Sequence, residues 1–421
     1  MAVVFNIKDL EGKEAKIDKM LTFIPKKLPF MKNNFGPALT EPVKMYLVAD
    51  DKISLPYRFS SCFFNKKYHQ TNTYPSIFED KTNKFSGKLL DRQKEPFEQA
   101  IKYLYTHNTV TIALYPGFGK TFLGCMLSWY INKKTCILVH RENVGKQWIK
   151  TFQRYFDLED KYIWFVDNKP NPEAKILICM NGRTDKIPNT LKKEIGCLII
   201  DEAHCFCSSS NVKPLLSFSP KYIIAETATP VKDNNMHRMI QSICGTHYIQ
   251  KLSTKKFKFI IIKTNLDYPV NTDKNPFGEL LNKQGDCEKR NQIIIDILKA
   301  NKERKTIVAC SRKGHCKKLH DLLKEENIES AELYGTRKNY QTKDILIGTG
   351  SKMGVGFDEA NFCDDYDGRA SDLLLMCYTF ASWAPFEQVR GRGLRSDSPI
   401  VVVFNDNNNM TKKHIRKMKK W

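Results

Sequence analysis

The sequence predicts an α/β protein with two parallel-sheet domains in tandem, preceded by a small β-rich N-terminal domain. From about residue 89 to 250, amphipathic helical segments alternate with uninterrupted apolar segments of strand length, and the alternation recurs from about 290 to 405. Strands that lack a polar face are typical of parallel sheets with helices on both sides. A chain of 421 residues is long enough for two or three such domains.

The N-terminal residues 1–88 differ from the rest of the chain in pattern. Two short strand-like segments, VKMYLVAD and KISLPYRFS, are separated from other stretches by turn-rich and lysine-rich sequence. Pro25, Pro29, Pro37 and Pro42 interrupt any longer element here. We therefore expect a β-rich accessory domain over 1–88, and no motif within it indicates a role.

The first α/β domain is predicted over residues 89–250. It opens with the amphipathic helical segment RQKEPFEQAIKYLY. Its apolar strands are VTIALY, TCILVH, KILICM, GCLIID and KYIIAE. Residues 251–289 then predict a connector, because a single strand, FKFIII, is followed by polar sequence that contains Pro269 and Pro276.

The second α/β domain is predicted over residues 290–405, and a basic tail over 406–421. The domain has helical segments RNQIIIDILKAN and GHCKKLHDLLKEEN and strands TIVACS, DILIGT, LLLMCY and PIVVVF. The end of the chain, TKKHIRKMKKW, carries six Lys or Arg residues and no acid. Two alternatives stay open for it: a disordered, solvated end, or an auxiliary phosphate-binding arm that ends in Trp421 as a base-stacking aromatic.

The charge of the chain indicates a polyanionic partner. Lys and Arg number 68 against 46 Asp and Glu, which gives a formal net charge of +22. Nucleic acid is the commonest partner of so basic a protein, and a lysine-rich surface without such a partner is the alternative. Because no apolar run reaches 18 residues, we expect no membrane partner. The first residues, MAVVFNIKDL, also lack the cationic and apolar pattern of a secretory signal.

The cysteines predict neither disulfides nor a zinc site. There are 13 of them, an odd number, and no two are spaced C-x-x-C. Cys205 and Cys207 form a tight pair, but no further Cys or His stands at zinc-ligand spacing. Buried thiols in a reducing compartment fit this usage best. We accordingly expect a soluble, intracellular protein without structural zinc.

A glycine-rich loop between a predicted strand and a predicted helix indicates phosphate binding. In the segment YPGFGKT, Gly117 and Gly119 allow backbone N–H groups to approach a phosphate closely. Lys120 would neutralise the phosphate, and Thr121 would offer its hydroxyl to Mg²⁺. Leu114 stands where the usual G-x-x-x-x-G-K-T pattern has its first glycine, so the full pattern is not met.

Two adjacent carboxylates end a later apolar strand, in CLIIDEAH. Asp201 is the candidate ligand of Mg²⁺, and Glu202 is the candidate group that polarises the attacking water. The next strand ends in ETATP, where small hydroxyl residues can hydrogen-bond the acidic segment and relay its state. Together with Lys120 and Thr121, the acid pair would form a site that binds Mg²⁺ and activates a water molecule.

The second α/β domain ends in FEQVRGRGLR. Gln388, Gly391, Arg392 and Arg395 fit the pattern Q-x-x-G-R-x-x-R. Arg392 and Arg395 lie three residues apart, so on a helix they share a face and can reach one phosphate group together. Guanidinium groups suit the charge that spreads over the oxygens of a transferred phosphoryl group.

Four segments, in this order and spacing, resemble the superfamily 2 helicases of DExH type: GFGKT, DEAH, TATP and QVRGRGLR. The resemblance covers residues 89–405. It implies two RecA-like domains that bind ATP and Mg²⁺ in the cleft between them, with Glu202 as the catalytic base. Gln388, Arg392 and Arg395 would then act in catalysis from the facing domain, and closure and opening around ATP would step the domains along a strand.

Weaker similarities to the same family add further residues. Gln93 looks like the glutamine that reads the adenine, upstream of the phosphate loop. The segment GTGSKMGVGFDE resembles the motif in which Thr349 contacts the nucleic-acid backbone and Gly356 and Asp358 couple to ATP. Both assignments rest on the resemblance alone.

Residues for coupling and for nucleic-acid contact are also implied by the resemblance. His204, Thr227 and Thr229 would couple the state of the nucleotide to the rest of the domain. The segment ILVHRENVGKQW is similar to one that touches the nucleic-acid backbone, which makes Arg141 and Gln147 candidate contacts. Contacts of this kind grip phosphates, so little sequence preference is expected.

The nucleic acid is expected to be DNA in preference to RNA. The Gln-Trp pair in ILVHRENVGKQW and the GRGLR ending look most like DNA-directed members, such as phage recombination helicases and transcript-release helicases of poxviruses and other large DNA viruses. A viral protein of this kind would work in the cytoplasm, viral factory or virion, with a transcription or replication complex as a candidate partner. An RNA helicase and a non-catalytic nucleic-acid scaffold remain the alternatives.

Overall fold

Two units divide the chain, one over Met1–Leu252 and the other over Ser253–Trp421. The computed structural model describes residues 2–25, 41–66, 74–79, 85–156, 158–228, 230, 235–253, 256–271, 275–354, 357, 359–393, 396 and 398–420, except the side chains at 360, 361, 384, 392 and 393.

The first unit begins with small antiparallel sheets. Strands β1, β5 and β4 form a three-stranded sheet in that order, and β2 pairs with β3. The elements are β1 Ala2–Asn6, α1 Glu14–Leu21, β2 Thr22–Phe23, β3 Val43–Lys44, β4 Leu47–Ala49, β5 Lys52–Pro56 and α2 Tyr57–Phe63.

A seven-stranded parallel sheet follows, with strand order β12-β6-β11-β10-β7-β9-β8. Helices lie between most of the consecutive strands, as the alternating pattern predicts, although β9 follows β8 directly. The elements are α3 Asp91–His107, β6 Thr109–Leu114, α4 Lys120–Ile131, β7 Thr135–Val139, α5 Glu142–Tyr155, β8 Ile163–Phe165, β9 Ile176–Met180, α6 Asn189–Glu194, β10 Cys197–Ile200, α7 Val212–Leu216, β11 Tyr222–Thr227, α8 Arg238–Cys244 and β12 Tyr248–Lys251.

Both faces of this sheet are buried, as β10 illustrates. Cys197 and Ile199 pack into the core formed with α3, α4 and α5. Leu198 and Ile200 point the other way, into a core that contains Leu21 and other N-terminal residues. The described residues within 1–88, predicted as an accessory domain, therefore share cores with the sheet. Leu21 lies in the core on one face, and Ile77 lies in the core on the other.

The second unit contains a six-stranded parallel sheet with strand order β13-β18-β17-β14-β16-β15. Its elements are β13 Lys258–Lys263, α9 Pro276–Asp286, α10 Glu288–Ala300, β14 Thr306–Cys310, α11 Lys313–Glu325, β15 Ala331–Leu333, β16 Ile345–Thr349, α12 Gly350–Met353, α13 Glu359–Phe362, β17 Leu373–Met376, α14 Trp383–Gly393, β18 Ile400–Asn405 and α15 Asn409–Met418. Two RecA-like parallel-sheet domains after a small antiparallel region confirm the predicted fold class.

The segment predicted as a connector joins the second sheet. Strand β13 pairs in parallel with β18 over its whole length. Asp406, which is fully buried just after β18, accepts hydrogen bonds from Thr264 Oγ1 and Gln284 Nε2 at 2.6 Å each. Arg290 Nε lies 3.2 Å from the same carboxylate. A buried carboxylate needs such partners, and here they tie the predicted connector to the sheet.

The residues predicted as a basic tail form helix α15, which the sequence analysis did not anticipate. Asn408 caps the helix by accepting a hydrogen bond from the Met410 backbone N–H at 2.9 Å. Ile415 and Met418 are buried in the core of the second unit. These residues therefore form an ordered helix and not a disordered end. Trp421, the predicted base-stacking aromatic, lies outside the described residues.

The described ranges show neither a membrane-spanning helix nor a metal-binding cluster. None of the helices there is both long and apolar enough to cross a membrane. In the same ranges, no group of three or more His, Cys, Asp or Glu side chains is arranged to hold a metal ion. The cysteines are free thiols, and most of them are buried.

Candidate active site

The loop between β6 and α4 has the backbone that close phosphate contact requires. Gly117 and Gly119 have φ angles of 84° and 99°, in the left-handed region that favours glycine. No atom lies within 4 Å of the position that a Cβ on Gly117 would occupy, so the loop is open on that side. The loop ends at the N-terminus of α4, a helix of 12 residues, where backbone N–H groups attract an anion.

Lys120 is held at the start of α4 by the strand before the loop. Its side chain is buried, and Nζ donates a hydrogen bond to the carbonyl oxygen of Leu114 at 3.3 Å. Leu114 is itself the last, fully buried residue of β6. The strand thus continues to the position where the usual pattern has a glycine, and its final carbonyl orients the lysine. Thr121 is half-buried on the first turn of α4.

Gln93 connects α3 to the same loop. Its Oε1 accepts a hydrogen bond from the Leu90 backbone N–H, and its Nε2 donates one to the Phe118 carbonyl oxygen, both at 3.0 Å. A Cβ on Gly119 would lie 2.5 Å from Nε2, so only glycine leaves room for this amide. The residue predicted to read adenine is therefore packed directly against the phosphate loop.

The two acidic residues lie where parallel strands end at one edge of the sheet. Strand β11 lies between β6 and β10, so the phosphate loop, the acid pair and the ETATP segment follow three neighbouring strands. Asp201 and Glu202 are buried, with 5% and 4% of their surface exposed. Glu202 has φ 49° and ψ 53°, a left-handed conformation that is uncommon outside glycine and recurs at functional sites.

His204 joins the acid pair to the next strand. Its Nδ1 lies 3.0 Å from Thr227 Oγ1, at the end of β11, and 3.4 Å from Glu202 Oε2. The sequence predicts a hydrogen bond between a hydroxyl residue of ETATP and the acidic segment, and the contact between Thr227 and His204 is of this kind. Thr229, the other predicted coupling residue, lies outside the described residues.

A tryptophan that the sequence analysis used only as a family marker reaches the acid pair. Trp148 is fully buried on α5, and its Nε1–H donates a hydrogen bond to Asp201 Oδ2 at 2.8 Å. A Cβ on Gly124 of α4 would lie 2.6 Å from the Trp148 ring. The glycine therefore allows the indole to lie between α4 and the end of β10.

Glu226 is a second residue at this site to which the sequence analysis gave no role. It is fully buried at the end of β11, and neither carboxyl oxygen has a hydrogen-bond partner. Burial, and next the negative charge of Asp201, raise the pKa of Glu226 well above its usual value, although Lys120 acts in the opposite direction. The surroundings of Glu226 therefore favour its neutral acid form.

His140, which lies just after β7, is also neutral. Its ring nitrogens are buried and have no hydrogen-bond partner. Burial, followed by the positive charge of Arg141, lowers the pKa of His140 to about 4. Glu202 and His204 also influence this ring electrostatically, which places His140 beside the acid pair.

The residues predicted to touch nucleic acid lie on different elements. Arg141 precedes the first residue of α5, Gln147 lies within that helix, and both are half-buried. Thr349 is buried at the end of β16 in the second unit, where its hydroxyl lies 3.2 Å from that of Ser351. Gln147 therefore lies on the same helix as Trp148, and Arg141 lies immediately before that helix.

The predicted arginine motif lies on α14 of the second unit. Gln388 is half-buried on this helix, which also includes Arg392. The side chain of Arg392 and all of Arg395 lie outside the described residues, as do Gly356 and Asp358. Within the same motif, Arg390 is a structural residue: it is buried and lies 2.5 Å from the carboxylate of Glu387.

The residues of the first unit fit a magnesium-bound nucleotide. The loop offers two left-handed glycines and a helix N-terminus for phosphates, and Lys120 supplies a buried positive charge. Thr121 and Asp201 supply oxygen atoms, which are the ligands that Mg²⁺ prefers. This donor set is the one that phosphoryl-transfer sites use to hold a nucleoside triphosphate.

Comparisons with known sequences point to helicases. Residues 86–232 match the family profile described as "Type III restriction enzyme, res subunit". "Putative helicase 161L" of Invertebrate iridescent virus 6 is 27% identical over 384 residues, which cover 83% of each chain. "Putative helicase 055L" of Frog virus 3 is 24% identical over 344 residues, 78% of this chain and 76% of the relative.

Solved structures share the fold at low sequence identity. The structure of S. cerevisiae Dbp5 bound to RNA and ADP BeF3 is similar over 77% of this chain and 86% of that one, with a TM-score of 0.55 and 14% identity. That likeness concerns the fold alone. The sequence relatives extend beyond the first sheet into the second unit, as the helicase motifs do. Together, the motifs, their placement at the strand ends and these relatives show that the chain resembles the superfamily 2 helicases.

Proposed function

We propose that this protein is an ATP-dependent helicase or translocase that acts on DNA. The observation that carries the proposal is the arrangement at one sheet edge. Lys120 and Thr121 follow β6, and Asp201 and Glu202 follow β10, with β11 between these two strands. Hydrolysis of ATP needs a phosphate cradle, a metal ligand and a group that activates water. These residues supply all three.

Each residue has a proposed task in ATP hydrolysis. The loop glycines and Lys120 bind the phosphates, Thr121 and Asp201 hold Mg²⁺, and Gln93 contacts the adenine. Bound Mg²⁺ supplies neutralisation of phosphate charge. Glu202 accepts the proton of the attacking water. His204 and Thr227 pass the state of this site to the end of β11, and Thr229 belongs to the same segment.

The remaining assignments follow from the family resemblance. Gln388, Arg392 and Arg395 of the second unit are proposed to assist hydrolysis, since guanidinium groups stabilise charge on phosphoryl oxygens. Gly356 and Asp358 are proposed to couple to ATP. Arg141, Gln147 and Thr349 are proposed to contact the nucleic-acid backbone.

DNA is the proposed substrate. The proposed process is transcription, replication or recombination of a virus or phage, and the proposed location is the cell or the virion. The Gln147-Trp148 pair and the viral relatives support this choice. RNA is the alternative, because the Dbp5 structure of similar fold is bound to RNA. A scaffold without catalysis is disfavoured, since it would not need Lys120, Asp201 and Glu202.

A strand-specific ATPase assay tests the proposal. We expect ATP turnover to rise several-fold with single-stranded or duplex DNA and to rise less with RNA of the same length. Because the contacts are proposed to be with phosphates, scrambling the DNA sequence should leave the stimulation unchanged. Stimulation by RNA alone would assign the protein to the alternative substrate. If no nucleic acid supports ATP hydrolysis, the protein would instead be a non-catalytic nucleic-acid scaffold.

Helix α15 offers a test of electrostatic binding. Lys413 and Arg416 on α15 and Lys420 just after it are exposed, while Ile415 is buried. Because Ile415 and Met418 of α15 are part of the core of the second unit, deleting the helix would expose that core. The test therefore replaces exposed basic side chains and keeps the helix. Changing all three to Gln should lower affinity for single-stranded DNA. The slope of log affinity against log salt should fall by up to about 2, at 0.7 per phosphate contact.

Helix α11 of the same unit provides a control with equal charge. Lys313, Lys317 and Lys324 are also exposed and recur along one face. Their triple replacement by Gln removes the same net charge at a different surface and should change the salt slope less. Equal slopes for the two triple variants would mean that α15 is only a solvated helix.

A further inference from the structure

Trp148 makes a contact that none of the proposed steps uses. Its indole N–H donates to Asp201 Oδ2 at 2.8 Å, and both side chains are buried. Asp201 is the proposed Mg²⁺ ligand. We propose that Trp148 is a positioning residue, which orients the Asp201 carboxylate for Mg²⁺ and transmits nucleic-acid binding from helix α5 to the nucleotide site. The second part rests on the proposed function.

The indole is fixed by its surroundings, as a positioning residue must be. Trp148 has no exposed surface, and its ring packs against Phe152 with 5.9 Å between ring centroids. The ring also reaches the backbone of α4, where a Cβ on Gly124 would lie 2.6 Å from it. Helices α4 and α5 therefore meet at this side chain, and its Nε1–H has one defined direction.

The hydrogen bond restrains the carboxylate in a defined way. Trp has a single polar hydrogen, and it is directed at Oδ2 of Asp201. Donors that hold a metal-ligating carboxylate fix its rotation, and losing such a partner commonly costs about 10- to 100-fold in metal affinity or activity. Trp148 therefore presets the direction of the Asp201 carboxylate.

The same helix carries the proposed nucleic-acid contacts. Gln147 is the neighbouring residue, and Arg141 immediately precedes the first residue of α5. A shift of α5 on binding a phosphate backbone would move the indole N–H relative to Asp201, since the buried side chain is rigidly packed. The strength of Mg²⁺ binding would then depend on whether nucleic acid is bound, as allosteric coupling requires.

The test compares two Trp→Phe variants of the full chain. Trp148→Phe keeps an aromatic ring and removes the donor to Asp201. Trp164→Phe is the matched control, because Trp164 is also buried in the first unit and donates to a carboxylate, Asp167, at 3.3 Å. Binding of a fluorescent non-hydrolysable ATP analogue is titrated with Mg²⁺, with and without single-stranded DNA.

We expect the Mg²⁺ concentration for half-maximal nucleotide binding to rise at least about 10-fold in Trp148→Phe and to stay unchanged in Trp164→Phe. The effect of DNA on that concentration should shrink in Trp148→Phe only. DNA affinity measured without nucleotide should be retained, because Arg141 and Gln147 remain. Equal Mg²⁺ dependence of the two variants would overturn the proposal.

A spectroscopic measurement on the unaltered protein guards against a variant that fails to fold. The chain has five tryptophans, so labelling indole nitrogen gives at most five N–H signals in a nuclear magnetic resonance spectrum. Mg²⁺ with the ATP analogue should shift the Trp148 signal and leave that of Trp164 in place. An unmoved Trp148 signal contradicts the proposal. If unaltered protein shows no Mg²⁺-dependent nucleotide binding at all, the proposed function fails first.

Discussion

Replacing Glu202 with Gln should leave nucleotide binding intact and lower kcat for ATP hydrolysis by about 10²- to 10⁴-fold, the usual contribution of a general base. The substitution keeps the size of a buried side chain and removes its ability to accept a proton. Asp201 and Lys120 are unchanged, so Mg²⁺ and phosphate binding should persist. Steady-state turnover with saturating DNA, together with equilibrium binding of the ATP analogue, measures both quantities.

Glu226→Gln is the control that the site itself provides. Glu226 is a second buried carboxyl near Asp201, and its burial without a hydrogen-bond partner raises its pKa and so favours the protonated form. A group that already carries its proton cannot act as the base, so Glu226→Gln should keep kcat within a few-fold of the unaltered protein. If Glu226→Gln abolishes turnover while Glu202→Gln retains it, the two roles are reversed.

The parallel sheets were predictable because their signal is local. Strands such as CLII are continuous runs of apolar residues, whereas amphipathic helices alternate apolar and polar residues with a period of about 3.6. The phosphate loop was predictable for a similar reason, since the left-handed angles of Gly117 and Gly119 fit only glycine well. The acid pair followed, because it ends an apolar strand of the same sheet.

The surroundings of the acid pair were not predictable in the same way. Trp148 and Asp201 are 53 residues apart, and only the parallel order of the strands and the packing of α5 bring them together. Glu226 was visible in ETATP, but its burial without a partner depends on the neighbouring strands and on Gly124 of α4. A buried neutral carboxyl leaves no mark in sequence that separates it from an exposed one.

The basic end of the chain forms a helix that its charge pattern does not predict. Six basic residues in TKKHIRKMKKW suggested a tail, and the apolar residues among them were too few to stand out. In the structure, Thr411, His414, Ile415 and Met418 recur at helical spacing and are buried. His414 Nδ1 also lies 3.0 Å from Thr379 Oγ1. Short amphipathic helices of this kind depend on tertiary packing for their stability.

Replacing Lys120 with Ala should weaken binding of the Mg²⁺-bound ATP analogue by about 10- to 100-fold, since a hydrogen bond to a charged group contributes about 1.5–3 kcal/mol. The lysine is buried at the N-terminus of α4, with Nζ held by the Leu114 carbonyl oxygen. It is therefore already directed when the phosphates arrive, and little entropy is lost in ordering it. Alanine removes that charge without altering the glycines of the loop.

Lys133→Ala is the matched control for Lys120→Ala. Lys133 follows the other end of α4, and its Nζ also donates to a backbone carbonyl oxygen, that of Tyr74, at 3.1 Å. It should change thermal stability about as much as Lys120→Ala does and leave nucleotide affinity unaltered. Calorimetric titration measures the affinity, and circular dichroism the melting. Affinity within two-fold of the unaltered protein in Lys120→Ala would mean that the loop does not bind phosphate through this lysine. If Lys120→Ala loses nucleotide binding while Glu202→Gln loses only turnover, phosphate binding and water activation belong to different residues at the same sheet edge.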